Sequence, residues 1–326
     1  MKGFRTLARI GVVLCLVVVV MGGWVRLTDA GLGCPDWPGC YGRLVAPDMA
    51  HAEAIGEAFP ERPLDTGKAW REMIHRYAAG VLGLVVFALA IMALLNRRDP
   101  EQPRGIPLFL AALIVFQALL GMWTVTLLLK PLVVMGHLLG GMATLALLAW
   151  LALPSRRSQP GGGAALRRVV GIALAVAVVQ IALGGWVSAN YAALACPDLP
   201  TCQTRWWPPM DFASGFKAWH GLGIDYQGGI LHNSARVAIH VTHRIGAVVA
   251  LLVIGFGALW AWRRAPAAAG RTAALLVGGA VLAQFALGVA MVGLSLPLAL
   301  AVAHNGFAAL LLLSLINLTK VAWRAD

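Results

Sequence analysis

The sequence predicts an all-α integral membrane protein, with eight transmembrane helices forming two four-helix bundles related by a pseudo-twofold axis. Three observations carry this expectation. Apolar residues make up 60% of the 326 and charged residues 12%, and the mean hydropathy is +0.77. That composition overrides the soluble, two-domain expectation set by length alone. Several uncharged runs reach the roughly 20 residues needed to span about 30 Å of hydrocarbon. Finally, the second half of the chain repeats landmarks of the first in the same order.

Gly22-Gly23-Trp24-Val25 returns as Gly184-Gly185-Trp186-Val187, and the loop Cys34 to Cys40 returns as Cys196 to Cys202. His75-Arg76 returns as His243-Arg244. Gln117 with Gly121 returns as Gln284 with Gly288, and His137 after Pro131 as His304 after Pro297. Four spans per half send both halves into the membrane from the same side. The repeats are therefore parallel, about an axis along the membrane normal.

The net charge of +12 is a topology signal, not a nucleic-acid footprint. Lys2, Arg5, Arg9, Arg97, Arg98, Arg104, Arg156, Arg157, Arg167, Arg168, Arg263, Arg264, Arg271, Lys320 and Arg324 fall in the tails and short loops of one side, opposed there only by Asp99, Glu101 and Asp326. The positive-inside rule makes that side cytoplasmic, with both termini on it.

Taken in order, span one runs from about Ala8 to Val25. No small-residue cleavage site follows it, which argues against a signal peptide. Cys15 reads as a small core residue. An outside loop from Arg26 to Arg71 carries the first cysteine pair and an acidic patch from Asp48 to Glu61. Span two covers Glu72 to Leu95, and Asn96 to Gly105 makes a charged cytoplasmic turn. Span three covers Ile106 to Leu128. Lys130-Pro131 makes a tight outside turn before span four, which ends near Leu153. A basic linker containing Gly161-Gly162-Gly163 then divides the chain. The expected units are an N-terminal half 1–153, a linker 154–168 and a C-terminal half 169–326.

The chemistry is expected around Glu72-Met73-Ile74-His75-Arg76. Glu72 and His75, three residues apart, share a helix face. Ionisable residues inside a membrane are expensive and mark function by default. His75 with His137, and His243 with His304, all lie within about two turns of the outer ends of spans, roughly 10 Å deep by helical rise. A lone membrane histidine is usually a helix–helix hydrogen-bonding residue. Four at matching depths suit axial ligation of two iron macrocycles, one per half. Zinc would need more ligands than two imidazoles.

The two cysteine pairs lie outside, where disulfides persist. A structural staple is the plain reading for both, and a redox-active Cys34–Cys40 pair over the His75 site the sharper one. Arg76 and Arg244 suit either heme propionates or interfacial anchoring. Trp24, Trp186, Trp206 and Trp207 read as interfacial belt residues, and His51, His220 and His232 as solvated. The halves differ at one chemical position: Glu72 corresponds to His240, whose role stays open. A carboxylate beside an iron site can move protons, so chemistry is expected in the Glu72 half and an electron-transferring heme in the other.

These residues together resemble the heme A synthase family over essentially the whole chain: Glu-x-x-His at 72–75, single histidines at 137, 243 and 304, and a cysteine pair in each long loop. The cysteine pairs resemble its bacterial, cysteine-containing branch. The resemblance implies a heme-dependent oxidoreductase that oxidises the C8 methyl of heme O to the formyl group of heme A through hydroxylated intermediates. It implies substrate heme between His75 and His137, with Glu72 essential, and heme b between His243 and His304. Cys34 and Cys40 are implicated in function more than the second pair. Heme O synthase would supply the substrate, and a heme-copper oxidase or its assembly factors would take the product. The expected location is the bacterial inner membrane, among its lipids, with heme sites near the outer face. No nucleic-acid partner is expected, and a homo-oligomer is compatible with the sequence. Three other classes remain: a bis-histidine diheme cytochrome b, a non-catalytic heme carrier or assembly protein, and a secondary transporter. The first two share the histidines but give no reason for Glu72 in one half only. The last would place its polar residues at midplane.

Overall fold

A bilayer offers no water to backbone N–H and C=O groups, so an apolar run must close its hydrogen bonds within itself. The computed structural model describes residues 2–154, 163–265 and 268–323. Its elements, in chain order, are α1 (Lys2–Leu27), α2 (Ala52–Ala58), α3 (Thr66–Leu95), α4 (Gly105–Thr126), α5 (Pro131–Ala152), α6 (Gly163–Ala189), α7 (Phe212–Gly215), α8 (Asn233–Arg264), α9 (Ala268–Gly293) and α10 (Leu298–Ala322). All but α2 and α7 are long and apolar enough to cross a membrane, giving eight such helices among the described residues.

Two boundaries differ from expectation. Helix α3 begins at Thr66, well before Glu72, because Asp65 caps it and accepts from the Lys68 amide at 2.9 Å. The four histidines are consequently not equally far along their helices: His137 and His304 lie under two turns from the starts of α5 and α10, His75 and His243 beyond two turns in α3 and α8. Helix α6 begins at Gly163, inside the predicted linker. The remainder of that linker, with Arg156, Arg157, Gly161 and Gly162, lies outside the described residues, as do Arg324 and Asp326.

The sequence repeat is also a repeat of local backbone. Leu128 and Leu129 turn the chain into α5 with φ of 51° and 60°, and Ser295 and Leu296 turn it into α10 with 58° and 64°. Asp29 and Tyr191 leave α1 and α6 in the same left-handed conformation. Side chains seldom adopt it unless their surroundings fix it.

In the first half α1 packs on α3 and α5, α3 on α4, and α4 on α5. In the second, α6 packs on α8 and α10, α8 on α9, and α9 on α10. The seam pairs α1 with α10, α6 with α5, and α5 with α10. One core gathers Phe4, Leu89, Leu110, Leu145 and Leu148, and another Leu166, Ile254, Val277 and Leu315. Both sit toward the helix ends remote from the two long loops.

Those loops bind the halves together. Lys130, in the turn expected outside the membrane, is 2% exposed. Its ammonium donates to the Gly221 carbonyl at 2.7 Å and lies over the Trp219 ring. Arg62 pairs with Asp225 at 2.7 Å, the Tyr226 amide donates to the Leu128 carbonyl, and Arg26 donates to the Ser188 carbonyl at 2.6 Å. Trp186 corrects another expectation. It is buried rather than interfacial, because its indole N–H donates to the Gly215 carbonyl at 2.8 Å. Trp206 and Trp207 are exposed. Trp186→Phe keeps the ring packing but deletes that bond. It is expected to cost about 1 kcal/mol, seen as a lower thermal unfolding temperature in detergent; an unchanged temperature would show the bond to be idle.

Candidate functional site

The four predicted histidines occupy four long helices and share one kind of seat. A Cβ added at Gly22 would stand 3.0 Å from Cε1 of His75, at Gly121 3.4 Å from that of His137, at Gly184 3.2 Å from that of His243, and at Gly288 3.3 Å from that of His304. Each imidazole thus lies against a glycine of a neighbouring helix, and alanine would crowd it. His75 and His137 are within electrostatic reach of one another, as are His243 and His304.

The helix stretches that carry the histidines are also alike. Residues 74–81, 132–141, 241–249 and 302–308 contain no buried residue, whereas each helix buries Leu82, Met142, Ala250 or Ala309 immediately afterwards. Protein side chains close the bundle on one side of this layer and leave it open at the histidines. Among the described residues, no group of three or more His, Cys, Asp or Glu side chains converges for a metal ion, so the ligand chemistry on offer is paired imidazole. A flat macrocycle ligated through two imidazoles fits that donor set and those glycine seats.

Glu72 stands one turn before His75 and is buried. Its Oε1 pairs with Arg76 at 2.5 Å and its Oε2 accepts from the Cys34 amide at 2.9 Å. The other guanidinium nitrogen of Arg76 donates to the carbonyls of Asp36 at 3.0 Å and Pro38 at 3.2 Å, and to that of Gly39. Arg244 does the same in the second half, donating to Cys196 at 2.7 Å, Thr201 at 2.8 Å and Asp198 at 2.9 Å. Both arginines are therefore committed to loop carbonyls, a role that neither the propionate nor the anchor expectation included. His240, in the place of Glu72, is buried against the backbone of Ala192.

Both disulfides are formed, Cys34–Cys40 and Cys196–Cys202, and all four cysteines are at most 4% exposed. Within each loop an aspartate ties the turn. Asp36 accepts from the amides of Tyr41 at 2.6 Å and Gly42 at 2.8 Å, and Asp198 from those of Gln203 at 2.6 Å and Thr204 at 3.0 Å. The Thr201 hydroxyl and these amides hold the Asp198 carboxyl below its ordinary range. Burial of the sulfurs restricts access for thiol exchange. Of the three loop histidines, His51 pairs with Asp48 at 2.5 Å and His232 with Asp211 at 3.2 Å, while His220 packs edge-on to Tyr226.

Sequence reasoning did not single out Gln180. Its side-chain amide meets Nδ1 of His243 at 3.0 Å and also donates to the His243 carbonyl at 3.0 Å. The available signal was that Gln180 is the one polar side chain between Arg168 and Ser188. Gln284, noticed only as part of the repeat, meets Nε2 of His304 at 3.1 Å. His75 and His137 have no such amide, and Nδ1 of each is buried without a partner.

The family model described as COX15-CtaA, cytochrome oxidase assembly protein, matches residues 5–316. A heme A synthase from Shewanella oneidensis is 42% identical over 325 residues, covering 97% of this chain and 96% of its own. The chain belongs to the heme A synthase family. More distant relatives bearing that name include one from Methylobacterium radiotolerans, 30% identical over 92% of this chain and 85% of its own, and one from Halalkalibacterium halodurans, 26% identical over 81% and 77%. Family membership and the eight apolar helices make this a multi-pass membrane protein.

The Glu72–Arg76 pair allows a stability test. Removing one partner of a buried, hydrogen-bonded pair strands the other charge and typically costs about 3–5 kcal/mol. Arg76→Ala is expected to loosen the first loop by about that much, seen as faster proteolysis between residues 41 and 65. Arg244→Ala, which strands no carboxylate, should cost less, and Glu72→Gln with Arg76→Gln should recover most of the loss. Equal proteolysis of all three variants would contradict the pairing.

Proposed function

We propose that this chain is a heme A synthase, oxidising the C8 methyl of heme O to a formyl group through hydroxylated intermediates. The observation that carries the reading is the fourfold recurrence of an imidazole seated on a glycine, in a layer that protein side chains leave open, along a chain matched over nearly its whole length by a named heme A synthase. His75 and His137 hold the substrate heme in the N-terminal half, 1–153. His243 and His304 hold a b-type heme in the C-terminal half, 169–326, which supplies one-electron transfer when bound. The seam of α1 with α10, α6 with α5, and α5 with α10 supports relating the halves by a pseudo-twofold axis.

Glu72 acts close to the substrate. Its carboxylate accepts from Arg76 and the Cys34 amide, and so anchors the loop backbone one turn from His75. From there it orients the loop and can exchange a proton on the substrate side. The second half has His240 at this position, and no carboxylate, which supports assigning the oxidation to the first half. Arg76 and Arg244 hold the loops over their histidines, leaving the propionates of each heme to other donors. The positive-inside charge distribution supports an inner-membrane orientation with both termini cytoplasmic and both loops and heme sites toward the outer face. Heme O then arrives from a heme O synthase within the membrane, and heme A leaves to a heme-copper oxidase or its assembly factors.

Membranes co-expressing this chain with a heme O synthase provide the test, through extraction and chromatography of noncovalent heme. Wild type is expected to yield heme A or its hydroxylated precursor. Glu72→Gln and His75→Ala are expected to yield neither while retaining protoheme bound through His243 and His304. Recovery of protoheme and unchanged heme O alone from folded, heme-loaded wild type would overturn the reading in favour of an electron-transfer cytochrome.

A further inference from the structure

We infer that Gln180 is a positioning residue that holds the axial imidazole of His243 by its Nδ1 and thereby sets the reduction potential of the heme in the C-terminal half. This deepens the proposed function and rests on its assignment of that heme. The argument starts from two rings in the same seat. His75 and His243 both present Cε1 to the glycine that opens a Gly-Gly-Trp-Val motif, at 3.0 and 3.2 Å from the Cβ that glycine lacks. What differs is the far side of the ring. Gln180, four residues before Gly184, reaches Nδ1 of His243 at 3.0 Å. The residue four before Gly22 is Val18, and Nδ1 of His75 is buried without a partner.

A second position differs in step with the first. Three residues after His243 is Gly246, and a Cβ there would collide with the Gln180 amide oxygen. Three residues after His75 is Ala78. His243 thus has both the amide and the gap that seats it, and His75 has neither.

The chemistry follows from the inventory of donors. When Nε2 ligates iron, Nδ1 carries the proton and needs an acceptor. The Gln180 oxygen is buried with no partner, and amide oxygen and nitrogen exchange places by a half-turn of the group. Turned so, the oxygen accepts from Nδ1–H, in exchange for the bond the nitrogen gives to the His243 carbonyl. Such a partner fixes the tautomer and ring plane and raises the basicity of the ligand, which favours ferric over ferrous iron and lowers the potential. The N-terminal histidine, without that partner, is a weaker and more readily exchanged ligand, suited to a heme that must leave as product.

Redox titration of the purified, heme-loaded protein, followed in the visible spectrum of the C-terminal heme, tests this directly. Gln180→Met is expected to raise the midpoint potential at unchanged heme content, and Gln180→Glu, which keeps an acceptor oxygen, to stay at or below the wild-type value. Gly246→Ala keeps the amide but displaces it, and should shift the potential upward as Gln180→Met does; it decides the matter where Gln180→Met fails to load heme. Wild-type potentials in Gln180→Met and Gly246→Ala, or an upward shift in Gln180→Glu equal to that of Gln180→Met, would overturn the inference. Loss of the functional reading looks different: no heme that depends on His243 would then be found in wild type at all.

Discussion

The geometry of the site depends on an arginine placed directly after a histidine. Because Arg76 follows His75 and Arg244 follows His243, one turn of helix fixes both the imidazole and the loop above it. A guanidinium offers five donors in a rigid fork, and here that fork gathers carbonyls from a short closed loop whose ends are already joined by a disulfide. Main-chain carbonyls in an irregular loop would otherwise need water. By accepting from arginine they can be buried, and the loop packs on the helix through Cys34, Cys40, Ala69 and Met73 in the first half and Cys196, Cys202 and Val237 in the second. The loops then bind the halves to each other through Arg62, Lys130 and Tyr226.

Upon this shared frame the halves diverge at a few positions, and the divergences are chemically related. Glu72 adds a buried carboxylate to the first arginine clamp, so the charge of Arg76 is balanced; Arg244 has no buried carboxylate on its helix and is met by loop carbonyls and the nearby charge of Asp198. Val18 and Ala78 leave His75 without an amide partner, while Gln180 and Gly246 give one to His243. A duplicated scaffold can hold two identical prosthetic groups without any of these changes. Their joint presence supports the proposed division of roles, exchange and chemistry in the first half and retention in the second.

Much of this was legible in the sequence, for definite reasons. Eight spans follow from hydropathy, because a bilayer admits only a few backbone solutions. The four histidines stood out because ionisable groups in apolar runs are costly, and the repeat gave each a counterpart. The cysteine pairs followed from their spacing and loop position. What escaped was side-chain direction. Arg76 and Arg244 were expected at propionates or at the interface, since sequence shows that a charge is present but not which carbonyls surround it. Trp186 was read as a belt residue because its motif ends a span, whereas the short helix α7 folds over it and takes its N–H. Lys130 was read only as part of a tight outside turn, because its partners, Gly221 and Trp219, come from the other half of the chain.

Gln180 escaped for a more instructive reason. The repeat directs attention to positions that match, and Gln180 matches nothing in the first half. Residues shared by both halves, such as Gly22 with Gly184 or Gly121 with Gly288, report what the two halves require in common: room for an imidazole against a backbone. Residues that differ report what separates one site from the other. The polar amide in an apolar span and the glycine opposite it are each unremarked alone, since isolated glycine and glutamine are common in membrane helices. Together they form a lock whose two parts are useless apart. Without Gly246 the amide has no seat, and without Gln180 the glycine only weakens packing. Their dependence on each other, together with the first half having the pair Val18 and Ala78, ties the difference between the two sites to the far side of one imidazole ring.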